Sequence, residues 1–227
     1  MKWTNYHSHS HYSDGKGEPE LYVLSAIIHG MHAYGFSCHS PVPFESGWNM
    51  KFERLAAYLK EINHLKEKYK DQLKIYLGLE IDYVKNLSGI KQFQNYGLDY
   101  TIGGVHFLGE FENGRFWDFD GGKPWFEKGL TELFDNDIKK LVSFYYQQVT
   151  DMVINESPDV VAHFDLIKKY NEGNFFFDEH AKWYREIAFE ALEKISKTDA
   201  IIEINTRGVL KKLNSEFYPS SFIIKRC

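Results

Sequence analysis

The chain has 227 residues, 43% of them hydrophobic and 17% aromatic, with a formal net charge of −5. That supports one domain with a substantial core, assigned to residues 1–227, and argues against a protein that holds nucleic acid through a basic surface. No apolar run is long enough to span a bilayer, and "MKWTNYH" lacks the apolar stretch of a secretory leader. Cys38 and Cys227 are the only cysteines and neither sits in a CxxC pair, so a reducing compartment, the cytoplasm, is expected.

In chain order, "KWTNYH" reads as a strand and Glu18 to His32 as a helix, with Leu21, Leu24, Ile27, Ile28 and Met31 at helical spacing. "AYGFSCH" is a short strand. Met50 to Tyr69 predicts an amphipathic helix whose apolar stripe is Phe52, Leu55, Ala56, Leu59, Ile62 and Leu65, with Lys60, Glu61 and Lys66 to Lys68 facing water. "LKIYLGLEIDYV" and "DYTIGGVHFL" are strands, and "ENGR" within Glu110 to Gly122 marks a hairpin-like excursion. Leu133 to Asn155 is expected as one helix, Val160 to His163 as a strand, Asp178 to Ser196 as a helix and "AIIEIN" as a strand. "NSEFYPSSFIIKRC" looks like the start of a further helix, with Pro219 near its first turn. Strands alternating with helices imply parallel βαβ units and a barrel of the (β/α) type, in which functional groups gather at the C-terminal ends of the strands.

Those strand ends carry His7 and His9, His39, Glu80, His106 and His163. Alternation along the first strand turns His7 and His9 to one face, where both can grip one ion. Imidazoles with carboxylates suit zinc, iron or manganese. A carboxylate such as Glu80 can bridge two ions, and paired ions favour displacement at phosphorus. The residues therefore point to metal-assisted hydrolysis of a phosphate ester. A lone strand-end histidine is more often a hydrogen-bonded core residue, and it is the set in register that shifts the balance. His29, His32, His64 and His180 have no matching partners and read as structural or surface residues. His11 falls past the strand, and Cys38 reads as a small buried thiol.

"YHSHSHYSDG", "FSCHSP", "LGLEIDY", "TIGGVHFL", "VVAHFDLIKKY" and "IIEINTRG" resemble, in order, the motifs of the PHP superfamily (polymerase and histidinol phosphatase domain), and within it the monofunctional histidinol-phosphate phosphatases. The resemblance implies a distorted (β/α)7 TIM-like barrel, up to three divalent ions (Zn, Fe or Mn), and hydrolysis of L-histidinol phosphate to L-histidinol and phosphate by a metal-bound hydroxide. It implies His7 and His9 on the first ion, Glu80 bridging to a second held also by His106 and His163, and Asp14 and His39 on a third. Arg207 in "NTRG" is similar to the arginine that grips phosphate, a task suited to a guanidinium fork, with Lys168 or Lys169 assisting. Phe116, Trp117 and Phe119 have two readings, a cover packing on the substrate imidazole or an aromatic cap on the barrel rim. The family's final strand, with an Asp-x-His motif, has no counterpart before Cys227, so the barrel is expected without its last strand–helix unit and the chain, taken literally, as impaired. Other expectations are a PHP phosphoesterase for another ester, such as a nucleotide or a nucleic-acid end, or a metal-binding barrel without activity. The partner expected is a small molecule, with neither membrane nor nucleic acid involved.

Overall fold

The computed structural model describes residues 3–227, which form two compact units. Among these, the first comprises residues 3–82 and Leu87–Ile102, the second Tyr83–Asn86 and Gly103–Cys227.

The first unit runs β1 (Thr4–Asn5), α1 (Pro19–Ile28), β2 (Ala33–Phe36), α2 (Phe52–Lys68), β3 (Lys74–Asp82) and β4 (Tyr100–Gly104), whose last residues enter the second unit. Strands β1, β2 and β3 pair in parallel, and the order continues to β4. From Leu77 to Asp82 every residue of β3 is buried, as in a strand covered on both faces. Tyr100 crosses this sheet: its hydroxyl donates to the carbonyls of Tyr6 and Phe36. A Cβ on Gly35 or Gly78 would come within 2.4 or 2.5 Å of its ring or hydroxyl, so both positions need glycine.

The two helices of this unit correct the expected stripes. α1 buries Pro19, Val23 and Ala26 and leaves Leu21, Leu24 and Ile28 at 60%, 41% and 81% exposure. Apolar residues stand on both faces of this helix, so spacing alone did not choose between them. α2 buries Leu55, Tyr58, Ile62 and Leu65, while Phe52 and Ala56 are exposed. Tyr58 takes the inward position because its hydroxyl finds a partner there, the Gly78 carbonyl at 2.8 Å.

The second unit continues from the end of β4 into an antiparallel hairpin, β5 (Phe107–Glu110) and β6 (Phe116–Asp118), turning through Gly114 at φ 80° as "ENGR" foretold. It adds α3 (Lys123–Phe134), α4 (Ile138–Glu156), β7 (Val160–Val161), α5 (Lys182–Ile195), β8 (Ile201–Ile202), α6 (Arg207–Leu210) and α7 (Ser221–Ile224). β7 and β8 extend the sheet beyond β4, and they pair in parallel. The helix expected from Leu133 to Asn155 is α4, which starts only at Ile138, and α3 before it was not expected from the sequence. Asp135 and Asn136 adopt positive φ, 55° and 60°, which ends α3, and the Asp137 side chain accepts from the Lys140 N–H to cap α4.

Trp117 and Phe119 of the hairpin point into the core of the second unit. Both are fully buried, Trp117 against Phe126 and Phe134, and Phe119 against Tyr145. Among the described residues, no helix is long and apolar enough to cross a membrane.

Candidate metal centre

The "HSHS" stretch divides its work by alternation. Ser8 donates to the Gly35 carbonyl through Oγ and receives the Ser37 N–H on its own carbonyl, and the Ser10 N–H meets Cys38 Sγ at 3.2 Å. The serines thus lash the segment to the extension of β2, and His7 and His9 turn to the opposite side. Cys38 is the buried thiol expected, pushed up by burial, and both cysteines are free. After His9 the chain doubles back so tightly that a Cβ on Gly15 would lie 2.3 Å from the His9 carbonyl oxygen. That turn brings Asp14 Oδ1 to 2.5 Å from His9 Nδ1.

Glu80 arrives on β3 at 1% exposure, held by its N–H to the carbonyls of Ser37 and Cys38, while its own carbonyl receives the Ser40 N–H. His39 forms a parallel bridge with it. Around the single oxygen Glu80 Oε2 stand His7 Nε2 at 3.0 Å, His9 Nε2 at 3.0 Å and His39 Nδ1 at 3.2 Å. His39 Nδ1 also lies 3.6 Å from Asp82 Oδ2, and Asn49 Nδ2 donates to that same oxygen at 2.7 Å. The Trp48 ring flanks His39, with centroids 4.3 Å apart.

This donor set fits a metal ion. A carboxylate oxygen offers about two lone-pair sites, fewer than the nitrogens around it. With Nδ1 against Asp14, a neutral His9 turns a lone pair at Nε2 toward Glu80, and Nε2 has no hydrogen-bond geometry there. Two ligands of a tetrahedral zinc at about 2.0–2.1 Å stand roughly 3.3 Å apart, close to the separations found. Without a cation a proton must serve instead. Burial disfavours the imidazolium, yet the hydrogen bond to Asp14 and the negative charge of Glu80 outweigh it and push His9 above the ordinary imidazole value. Two groups of ligand atoms meet the spacing a metal ion needs within this unit, His7–His9–Glu80 and His9–Asp14–His39. His11 stays out, with Nδ1 3.2 Å from Glu18.

In the second unit, His106 follows β4 and His163 follows β7, and their rings meet at 4.7 Å between centroids. Both are buried, and the His163 N–H donates to Glu203. Asp120, in the turn after β6, accepts from Lys169 Nζ at 2.9 Å. Burial works against its charge, but Lys169, with His106 and His163 nearby, outweighs it and holds the carboxyl below the usual range. Lys168 is 1% exposed and donates to Ser220 Oγ, with Asp165 Oδ2 3.5 Å away. Burial pushes the Asp165 carboxyl up, against the pull of Lys168 and Ser220. Arg207 opens α6 and is exposed, its N–H on Asn205 Oδ1. His29, His32, His64 and His180 are all exposed, as expected.

Sequence reasoning missed Asp82, Asn49, Trp48 and Asp120. Asp82 was within reach, because it stands two residues after Glu80 on one strand face. Asp120 sits in a turn, where no periodicity marks it.

The model of the PHP domain family matches residues 5–207. The chain belongs to the PHP family. It is 32% identical over 231 residues to a histidinol-phosphatase of Lactococcus lactis, covering 98% of this chain and 78% of the relative. A histidinol-phosphatase of Bacillus subtilis is 26% identical over 221 residues, 89% of this chain and 79% of that protein. A solved structure from Listeria monocytogenes shares the fold, with a TM-score of 0.84 at 23% identity, covering 98% of this chain and 89% of that one. The crystal structure of histidinol phosphate phosphatase from Lactococcus lactis, complexed with zinc, L-histidinol and phosphate, matches at TM-score 0.65 and 27% identity, over 91% of this chain and 74% of that one. The PHP fold expected from the sequence, a mixed α/β fold of the TIM-like class, is thereby established.

Proposed function

We propose that this PHP protein is a metal-dependent phosphomonoesterase that hydrolyses L-histidinol phosphate to L-histidinol and phosphate. The observation that carries the reading is the 32% identity to a histidinol-phosphatase over 98% of the chain. The buried cluster of imidazoles on Glu80 supports it, because its donor chemistry suits the zinc bound in the Lactococcus lactis relative.

On this reading the centre takes up to three divalent ions, zinc, iron or manganese. His7, His9 and Glu80 would hold one, Asp14 and His39 another, and in the second unit His106 and His163 would serve one more. Such ions polarise a phosphoryl oxygen and acidify water. The chain's own residues do the rest. Asp14 fixes the His9 ring through Nδ1 and so aims Nε2 inward. Asn49 holds Asp82, which sets the carboxylate facing His39. Arg207 supplies a planar fork for the phosphate. Lys169, anchored on Asp120, is the better placed second cation, since Lys168 is committed to the buried Asp165–Ser220 network.

The test is phosphate release from L-histidinol phosphate, with zinc or manganese supplied, beside an aryl phosphate and a phosphodiester. Selective release from L-histidinol phosphate is expected. Preferred cleavage of the diester would replace this reading with that of a nuclease-like PHP enzyme.

A further inference from the structure

A cavity of about 650 Å³ lies within the second unit among α5, α7 and the loops that follow β7 and β8. That volume is in the roughly 300–1,000 Å³ range of small-molecule sites. Its walls are chemically sorted. Arg185 and Phe189 stand one turn apart on α5 and share a face. Phe222 on α7 meets Phe189 at 5.8 Å between centroids and 66° between planes, which makes an aromatic corner. The Arg185 guanidinium lies 4.9 Å from the Phe222 centroid, and its Nε is buried with no hydrogen-bond partner among the described residues. A buried N–H of a charged group without an acceptor costs free energy, and an incoming anion would satisfy it. Lys168 and Lys225 add further positive charge to the lining.

Carboxylates line the same cavity. Glu179 accepts from Asn171 Nδ2 at 3.0 Å and from Ser220 Oγ at 3.4 Å, with Lys168 Nζ 4.0 Å away, and Glu216 accepts from the N–H and hydroxyl of Ser221. Each carboxylate offers about four acceptor positions, so capacity remains for a further donor. Burial works against the charge of Glu216, but the Ser221 hydrogen bonds outweigh it and hold it ionised. A cation without an acceptor, a flat apolar corner and part-used carboxylates within one cavity match a particular class of ligand.

We infer that this cavity binds a free α-amino acid with a flat side chain, its carboxylate on Arg185, its ring in the Phe189–Phe222 corner and its ammonium on Glu179 or Glu216. This does not depend on the phosphatase assignment. An anion lacking the ammonium would leave the carboxylates unused, and an amine lacking the carboxylate would face Arg185.

The experiment is calorimetric titration of the full chain with L-phenylalanine, beside phenethylamine, which lacks the carboxylate, and phenylacetate, which lacks the ammonium. Saturable binding of L-phenylalanine is expected, at least tenfold tighter than either fragment. Arg185→Gln should weaken it at least tenfold. Glu179→Gln and Glu216→Gln, made separately and checked by thermal melting, should weaken L-phenylalanine in at least one case while leaving phenylacetate unchanged. Amino acids also chelate metals, so Glu80→Gln serves as the control. Binding that survives Arg185→Gln but is lost in Glu80→Gln would place the ligand on the metal cluster and overturn the inference. No saturable binding, or equal binding of all three compounds, would overturn it as well.

Discussion

Glu80 Oε2 is closely ringed, with imidazole nitrogens of His7, His9 and His39 within 3.2 Å and the residue almost out of reach of water. Glu80→Gln keeps the shape but removes the charge that balances a cation among these rings. Metal content, measured on the purified protein, should fall, with an affinity loss of at least about 100-fold, since changes at groups that merely orient ligands already cost 10–100-fold. In the second unit the sharpest residue-level expectation concerns Asp120. Its folded value lies below the unfolded one, so its ionised form stabilises the fold above the unfolded value of about 3.9. That contribution is lost as pH falls through the lower, folded value. In metal-free protein, the stability difference between the native chain and Asp120→Asn, read from urea unfolding, should be full at pH 7 and shrink below about pH 4. A difference that grows with acidity would reverse the sign assigned to Asp120.

At the scale of elements, the seam between the hairpin and α3 depends on a missing side chain. Gly129 sits in the interior of α3, where alanine would favour the helix by about 1 kcal/mol. Yet a Cβ there would lie 2.0 Å from the ring of the fully buried Trp117. Overpacking of a tight core costs about 1–3 kcal/mol, so Gly129→Ala should destabilise despite the gain in propensity. Denaturant unfolding gives the sign directly. The elements also show how far the sequence could be read. The strand ends that carry His7, His9 and Glu80 were legible because alternation in "HSHS" and the apolar run before Glu80 report side-chain direction and strand position without knowledge of the neighbours, whereas Asp82, on the same face as Glu80, was missed. The helix faces were less so. α1 is apolar on two faces, and only the sheet beneath decides that Val23 and Ala26 go inward. α2 buries Tyr58 because a carbonyl on β3 receives its hydroxyl, a partner that helical spacing does not contain. The break between α3 and α4 was written in "DND", but as capping chemistry rather than as a gap in the apolar pattern. Asp120 and Trp48 owe their places to turns, which carry no period.

For the whole molecule, metal binding and folding should be linked. The cluster's groups come from β1's extension, the turn at Asp14, the extension of β2 and β3, so the unfolded chain has no comparable site. An ion held at 100 times its dissociation constant would add about 2.7 kcal/mol to stability. Chelation should therefore lower the melting temperature, and zinc or manganese should restore it in a concentration-dependent way. An unchanged melting temperature with metal demonstrably removed would separate the cluster from the fold.

The chain has 5 tryptophans, and one of them, Trp48, lies edge-on against His39 with ring centroids 4.3 Å apart. An indole loses its emission by electron transfer to a protonated imidazole at such range, and a neutral ring draws off far less. The protein thus carries its own lamp beside the cluster. Trp48 emission, isolated by comparison with Trp48→Phe, should change when zinc is added to metal-free protein, a readout of the cluster that needs no added dye.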